Sequence, residues 1–351
     1  MKHHPIIQAV ATAVPPHRLA QADLRDFAST LFRGRVHQLD RLISVFEHTL
    51  IEHRHLSQPL AWFGEPHTFA EANALYEQMA LQLSEQASCR AIEQAGITPD
   101  EIALVILVST TGIATPSLDS KLIQCLGLPA HTARLPIWGL GCAGGVAGLA
   151  RAAELAHAFP GKSILLVAVE LCSLTFQFNA LSKSNLVATT LFGDGAAAIL
   201  LRLGEEGAGP QILNSYSHLF PHSQDIMGWD VVETGLKVRF ARSIPVLVER
   251  HMPGLVQSAC ATWGIQPEEL AHFVFHPGGP KVLQAYADSL NLAPEKLNEA
   301  YRVWADYGNM SSPTVLFVLE QFLRETVRSG KYGLMAALGP GFSAEQVLFR
   351  W

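Results

Sequence analysis

Short unbroken apolar runs alternate along this chain with longer helical stretches. Residues 102–108, 163–170, 270–275 and 332–338 are of strand length and apolar at almost every position. A half-exposed strand would alternate, so these runs predict strands covered on both faces by helices, in buried and mostly parallel sheets. Residues 147–158, rich in Ala and Leu, predict one such covering helix. Residues 21–49 read as helices outside this scheme, an N-terminal excursion with room to cover or contact a ligand.

The pattern occurs twice. Gly96-Ile97-Thr98-Pro99-Asp100-Glu101-Ile102 returns as Gly264-Ile265-Gln266-Pro267-Glu268-Glu269-Leu270, an offset of 168 (264 less 96). Gly141-Cys142 opens a helix closed by Gly161-Lys162 and a strand, and Gly308-Asn309 opens one closed by Gly330-Lys331 and a strand, at an offset of 167 (309 less 142). Segments 192–201 and 338–349 match as late hairpins. Three landmarks in one order at nearly one spacing point to a duplicated α/β core with two pseudo-symmetric halves. The Gly/Glu-rich stretch 204–209 marks the seam, giving an N-terminal half over residues 1–208 and a C-terminal half over residues 209–351.

Composition narrows the function. A formal net charge of -6 with no Lys/Arg run excludes nucleic acid or an anionic membrane as the main partner. The apolar start is broken early by Pro15-Pro16 and no later run approaches bilayer length, so neither a signal peptide nor a membrane span is expected and the protein reads as cytoplasmic. Cys89, Cys125, Cys142, Cys172 and Cys260 are scattered and never form a C-x-x-C pair, which predicts reduced thiols. The histidines, His53-Arg54-His55 among them, have no carboxylate or cysteine at ligand spacing, and no metal or redox cofactor is expected.

The stretch Trp138-Gly139-Leu140-Gly141-Cys142-Ala143-Gly144-Gly145-Val146 puts a thiol at the start of a helix, whose unpaired N–H groups favour the thiolate. Alone, a cysteine is as commonly a buried filler. The duplication, however, places Asn309 at the equivalent point and His276 at the end of the strand before it, where ligands of α/β sheets lie. A thiol that takes an acyl group, with an imidazole and a carboxamide donating to an oxygen that becomes an enolate, suits decarboxylative condensation. Each such donor is worth about 10² to 10³ in rate. The same trio also serves a cysteine hydrolase, with His276 as general base and Asn309 as its orienter.

These residues resemble those of the type III polyketide synthases of the thiolase superfamily, which include chalcone synthase and the bacterial alkylpyrone and alkylresorcinol synthases. The resemblance spans nearly the whole chain. It rests on Gly141-Cys142-Ala143-Gly144-Gly145, Leu191-Phe192-Gly193-Asp194-Gly195-Ala196, His276-Pro277-Gly278-Gly279-Pro280, Tyr307-Gly308-Asn309-Met310-Ser311-Ser312 and Gly339-Pro340-Gly341, in family order. It implies a thiolase fold with αβαβα layers, a homodimer joined across the loop at 112–116, and acyl-CoA and malonyl-CoA as substrates. It implies Cys142 as the acyl-loading nucleophile, kept ionised by His276, and His276 with Asn309 as the groups that bind the malonyl thioester carbonyl. Phe192 becomes the gatekeeper between a coenzyme A tunnel and a cavity. Thr110, Cys172, Thr175, Ala188, Ser311 and Pro340 fall where the family lines its starter and product pocket, and Arg41, His48, Gly278 and Gly279 at its coenzyme A contacts.

The chain departs from plant members at three places. Val238 aligns with a second gatekeeping phenylalanine, Trp229 with a small residue, and Ser44 with one of three basic coenzyme A contacts. The stretch 109–117 resembles bacterial members that accept fatty acyl starters. The expectation is therefore an enzyme that extends a medium- or long-chain fatty acyl group to a pyrone- or resorcinol-type product. Two alternatives remain at this point. One is a single condensation of the ketoacyl-ACP synthase III kind, which needs an acidic carrier protein and a basic tunnel mouth. The other is a cysteine acyl hydrolase or thioesterase.

Overall fold

The computed structural model describes residues 3–36, 39–206, 209–325 and 330–350, with the side chains of residues 41, 42, 183 and 325 outside that description. The first half runs β1 (His4–Ala13), β2 (His17–Ala20), α1 (Gln21–Phe32), α2 (Leu39–Glu47), β3 (His53–Leu56), α3 (Phe69–Ala95), β4 (Ile102–Val108), α4 (Leu118–Cys125), β5 (Ala133–Ile137), α5 (Gly144–Ala156), β6 (Ser163–Leu171), α6 (Lys183–Leu191) and β7 (Asp194–Gly204). The second runs β8 (Gln211–Leu219), β9 (Met227–Val232), β10 (Gly235–Phe240), α7 (Ile244–Trp263), β11 (Leu270–Phe275), α8 (Pro280–Leu290), α9 (Asn298–Tyr307), α10 (Thr314–Glu325), β12 (Tyr332–Gly339) and β13 (Ser343–Arg350). Residues 207 and 208, at the expected seam, lie outside the described set.

Nine strands form one ladder in the order β11-β12-β13-β8-β1-β7-β6-β4-β5. β1 and β8 share only the pair Ile6 with Gln211, so the ladder is two half-sheets meeting at a seam. Outward from the seam, β1, β7, β6 and β4 answer to β8, β13, β12 and β11. α3 and α4 cover the first half-sheet, α5 and α10 lie between the half-sheets, and α7 with α8 cover the second, giving five layers.

The half-sheets are mixed rather than mostly parallel. Parallel pairing is confined to β4 with β5 and β6, and to β11 with β12, because β7 and β13 turn back beside β6 and β12. The unbroken apolar runs report cover on both faces, not strand direction. In β7, Ala197, Ile199 and Leu201 enter one core while Ala196, Ala198 and Leu200 enter the other.

The duplication extends to local detail. α3 and α7 both end on a left-handed glycine, Gly96 (φ 63°) and Gly264 (φ 73°), followed by a single turn with a capping box that launches β4 and β11. The late hairpins match only in part. β12 and β13 join through a tight turn, whereas residues 172–193 intervene between the antiparallel neighbours β6 and β7. α1 and α2 form the expected excursion and hold a cluster of their own, with Leu24, Phe32, Phe46, Leu56 and Phe63. Among the described residues no helix is long and apolar enough to cross a membrane.

Candidate active site

Cys142 lies in a single turn, residues 141–143, that runs directly into α5. Gly141 adopts φ 47°, and a Cβ there would stand 2.8 Å from Pro340 Cδ, so the turn requires glycine and Pro340 closes over it. The Gly141 N–H donates to Thr110 Oγ1 at 3.2 Å. Gly145 faces the backbone of Ser312, where a Cβ would come within 2.3 Å of the carbonyl oxygen. Thr110, Pro340 and Ser311 therefore shape the surroundings of the thiol rather than line the inner pocket described below.

Burial pushes the Cys142 thiol up to about 11, and the Glu170 carboxylate adds to this, while its hydrogen bonds with Ser311 and Asn309 pull it down. Desolvation thus opposes the helix start, which favours the thiolate. His276, just after β11, is fixed by its N–H donating to Ala336 O at 2.9 Å. Neither ring nitrogen has a hydrogen-bond partner, and burial pushes the imidazole down to about 3.

Asn309 occupies the turn between α9 and α10, after Gly308 at φ 65°. It stands five residues ahead of α10 (314 less 309), too early to cap that helix. Its N–H donates to Leu191 O at 2.8 Å, and its Oδ1 accepts from the Ser311 N–H at 2.8 Å and faces Cys142 Sγ at 3.9 Å. That leaves Nδ2 to donate elsewhere. Cys142, His276 and Asn309 line one cavity of about 550 Å³, so groups 134 (276 less 142) and 167 residues apart meet as the duplication requires.

Cys172, Thr175, Ala188, Phe192 and Val238 line a separate inner pocket of about 70 Å³ with apolar side chains from α1 and α2. The residues between β6 and β7 supply four of these five. Phe192 packs at 5.7 Å against Phe240, which lines the larger cavity, and at 6.0 Å against Trp229. An aromatic wall therefore separates the two spaces. The second aromatic of this wall is Phe240, not the residue at 238: Val238 pairs with Trp229 across β9 and β10 and faces the inner pocket. The signal was available, since residues two apart on a strand share a face.

Ser44 from α2, His48 just after it, and Gly278 and Gly279 before α8 line the larger cavity; the side chain of Arg41 lies outside the described residues. Exposed Arg242 and Lys281 join them at the rim, cations that no motif in the sequence had marked. Sequence reasoning also missed Glu170, the one acidic residue in the run 163–170. Fully buried, its carboxylate accepts from the N–H groups of Thr110 and Thr111 at 2.8 and 2.9 Å, and from the hydroxyls of Thr111 and Ser312, each at 2.8 Å. It ties together the loops behind Cys142 and Asn309, and burial pushes it up to about 7. The fold also gives His53 the carboxylate neighbours that its spacing had not suggested, with ligand atoms of Glu52, His53 and Asp306 within 4.8 Å of one another.

A duplicated five-layer core that brings a thiol, an imidazole and a carboxamide into one cavity defines a condensing enzyme of the thiolase fold. Family models of the chalcone and stilbene synthases match the chain in two parts, the N-terminal domain over residues 2–205 and the C-terminal domain over residues 211–351. The chain belongs to this family, the type III polyketide synthases. It is similar to a putative chalcone synthase of Bacillus subtilis (strain 168), 40% identical over 358 residues and 98% of each chain. It is equally similar to the 1,3,6,8-tetrahydroxynaphthalene synthase of Streptomyces peucetius subsp. caesius, 40% identical over 352 residues, 98% of this chain and 93% of that protein. The crystal structure of the 1,3,6,8-tetrahydroxynaphthalene synthase of Streptomyces coelicolor A3(2), a bacterial type III polyketide synthase, superposes with a TM-score of 0.93 at 31% identity over 99% of each chain. The reaction class follows: an acyltransferase that condenses malonyl-CoA units. The hydrolase and ketoacyl-ACP synthase III alternatives fall away with the family.

Proposed function

We propose that Cys142 carries the growing chain and that His276 and Asn309 drive its extension. The carrying observation is the single cavity that holds all three, with the Asn309 carboxamide against Cys142 Sγ. The Cys142 proton passes to His276 as Sγ attacks the acyl-CoA carbonyl, and the coenzyme A thiolate leaves with that proton. Malonyl-CoA then loses CO₂, and the enolate oxygen of its thioester is held by donors from His276 and Asn309 Nδ2. The enolate carbon attacks the acyl carbonyl on Cys142 and the C–S bond breaks, leaving the extended chain as a coenzyme A thioester that can reload and a Cys142 thiolate that takes up a proton from solvent to return to the thiol. His48, Arg242, Lys281 and the Gly278-Gly279 backbone hold the coenzyme A phosphates and pantetheine at the mouth of the cavity.

The starter is a medium- or long-chain fatty acyl-CoA, whose tail passes Phe192 into the pocket lined by Leu24, Phe27, Leu31, Phe32 and Phe46. The small volume of that pocket, about 70 Å³ beside about 550 Å³ for the larger cavity, favours a second reading, a short malonyl-derived starter. A panel of starters with malonyl-CoA, read by product mass, decides between them. Long-alkyl products support the first; products built from malonyl units alone support the second.

The working form is a homodimer. Ile113 and Trp138 are 45% and 55% exposed beside the loop 112–116, where the Trp138 indole N–H donates to Gly112 O at 3.1 Å, and such apolar exposure suits a subunit contact. Light scattering of the purified protein tests this, with a monomer at micromolar concentration as the contrary result.

A further inference from the structure

Arg54, on β3, is 2% exposed; it reaches the wall of the inner pocket but is neither the nucleophile, one of its donors nor part of the coenzyme A mouth. Its Nη1 donates to Phe192 O at 2.8 Å and its Nε to Gln21 Oε1 at 3.0 Å. Gln21 in turn donates to Thr190 O at 2.9 Å and Thr49 Oγ1 at 3.1 Å, so one buried pair holds the chain on both sides of the gate. The aliphatic stem of Arg54 lies against Gly308: a Cβ there would stand 3.0 Å from Arg54 Cδ and 2.6 Å from Leu191 O. The two loops Arg54 touches are bonded to each other. The Gly193 N–H donates to Asn309 O at 3.0 Å and the Asn309 N–H to Leu191 O at 2.8 Å, forming an isolated bridge between Phe192 and Asn309.

We infer that Arg54 is a positioning residue that locks the Phe192 gate to the Asn309 loop, so that the gate and the carboxamide that meets the enolate are set by one guanidinium. A guanidinium suits the task because its fixed fork reaches two carbonyl-type acceptors at once, which an ammonium on a flexible stem does not. Burying a cation here is tolerated because Asp194, itself buried and accepting from the N–H groups of Ser57 and Ser173 at 2.7 and 2.8 Å, supplies the opposing charge. Arg54 also lines the inner pocket, whereas Gln21 does not, so the tie through backbone is read most cleanly at Gln21. Loss of Arg54 is expected to spare acyl transfer to Cys142 and to damage the steps that use Asn309.

The inference rests on the proposed role of Asn309, and the experiment separates the two. Arg54→Met, Arg54→Lys and Gln21→Met are compared with wild type and Asn309→Ala in three readouts: acylation of Cys142 by intact mass, CO₂ release from malonyl-CoA, and extended product. Arg54→Met is expected to load within about threefold of wild type while kcat for extension falls at least tenfold with KM for malonyl-CoA little changed. Arg54→Lys should recover only part of that loss. Gln21→Met, which keeps both charges, should show the same pattern at smaller amplitude and decides the matter if Arg54→Met does not fold. Loading, decarboxylation and extension falling in equal proportion in these variants, or none of them falling, overturns the inference. If Asn309→Ala also extends normally, the proposed function fails with it.

Discussion

Replacing Asn309 separates the two halves of the reaction. In Asn309→Ala the carboxamide is lost, and with it the Nδ2 donor aimed at charge that develops only after malonyl-CoA has bound. One oxyanion donor is worth about 3 to 4 kcal/mol, so extension should slow by about 10² to 10³. Loading relies on Cys142 and His276 and should change by less than about tenfold. Stability should suffer less: the variant leaves the Ser311 N–H without its acceptor at 2.8 Å, a loss of about 1 to 2 kcal/mol against the 5 to 15 kcal/mol of an ordinary domain. Asn309→Asp sharpens the test. Its Oδ1 still accepts from Ser311, preserving the turn, but a carboxylate offers no donor and repels an enolate, so extension should fall at least as far in a protein as stable as wild type. The assay is a two-step one, in which Cys142 is first acylated and quantified by intact mass, and malonyl-CoA is then added and product followed by rapid quench. A variant that loads slowly but extends normally would make Asn309 a loading or purely structural residue and refute the reasoning.

Three further outcomes follow from the same geometry. His276→Ala should move the pH midpoint for iodoacetamide alkylation of Cys142 upward, because burial already opposes the thiolate and the opposing imidazolium is lost; an unchanged midpoint would show that the imidazole does not ionise it. Glu170 is raised from 4.5 to about 7 in the folded state, so the fold binds its proton more tightly than the unfolded chain does, and stability present below pH 4.5 is lost as pH rises toward 7. Thermal melts of Glu170→Gln against wild type should therefore show the gap moving in the variant's favour by up to about 3 kcal/mol across that window, and a gap independent of pH would contradict the shift. Catalytic efficiency should climb from hexanoyl-CoA toward dodecanoyl-CoA, with each methylene contributing at most about 0.8 kcal/mol, and Cys172→Phe should bring the plateau to shorter chains; indifference to alkyl length would sink the fatty acyl starter.

The duplicated core and the trio were legible because each leaves a local signature. Glycine C-caps, a Pro-Asp/Glu-Glu turn and an unbroken apolar run recur at one spacing, and Cys142, His276 and Asn309 stand at the ends of repeated elements, so topology alone brings them together. Strand direction was not legible, since an apolar run records cover on both faces whether its neighbour is parallel or antiparallel. The burial that opposes ionisation of Cys142 was not legible for a related reason: the helix start is written in the sequence, but the depth of burial depends on packing from distant segments. Phe240, Glu170 and Arg242 were missed because their partners lie in other elements and only the folded chain brings them to the gate, the loops behind the thiol and the cavity rim. Arg54 stood in view between two histidines, yet its contacts with Phe192 and Gly308 cross more than a hundred residues of sequence.

The most direct test of the account is to incubate the protein with an acyl-CoA, first alone and then with malonyl-CoA, and to follow both the modified peptide and the released products by mass. The account predicts an acyl adduct confined to Cys142 that persists without malonyl-CoA and, once malonyl-CoA is added, discharges into products longer by successive ketide units. An adduct on Cys89, Cys125, Cys172 or Cys260, or release of the free acid with no need of malonyl-CoA, would contradict it.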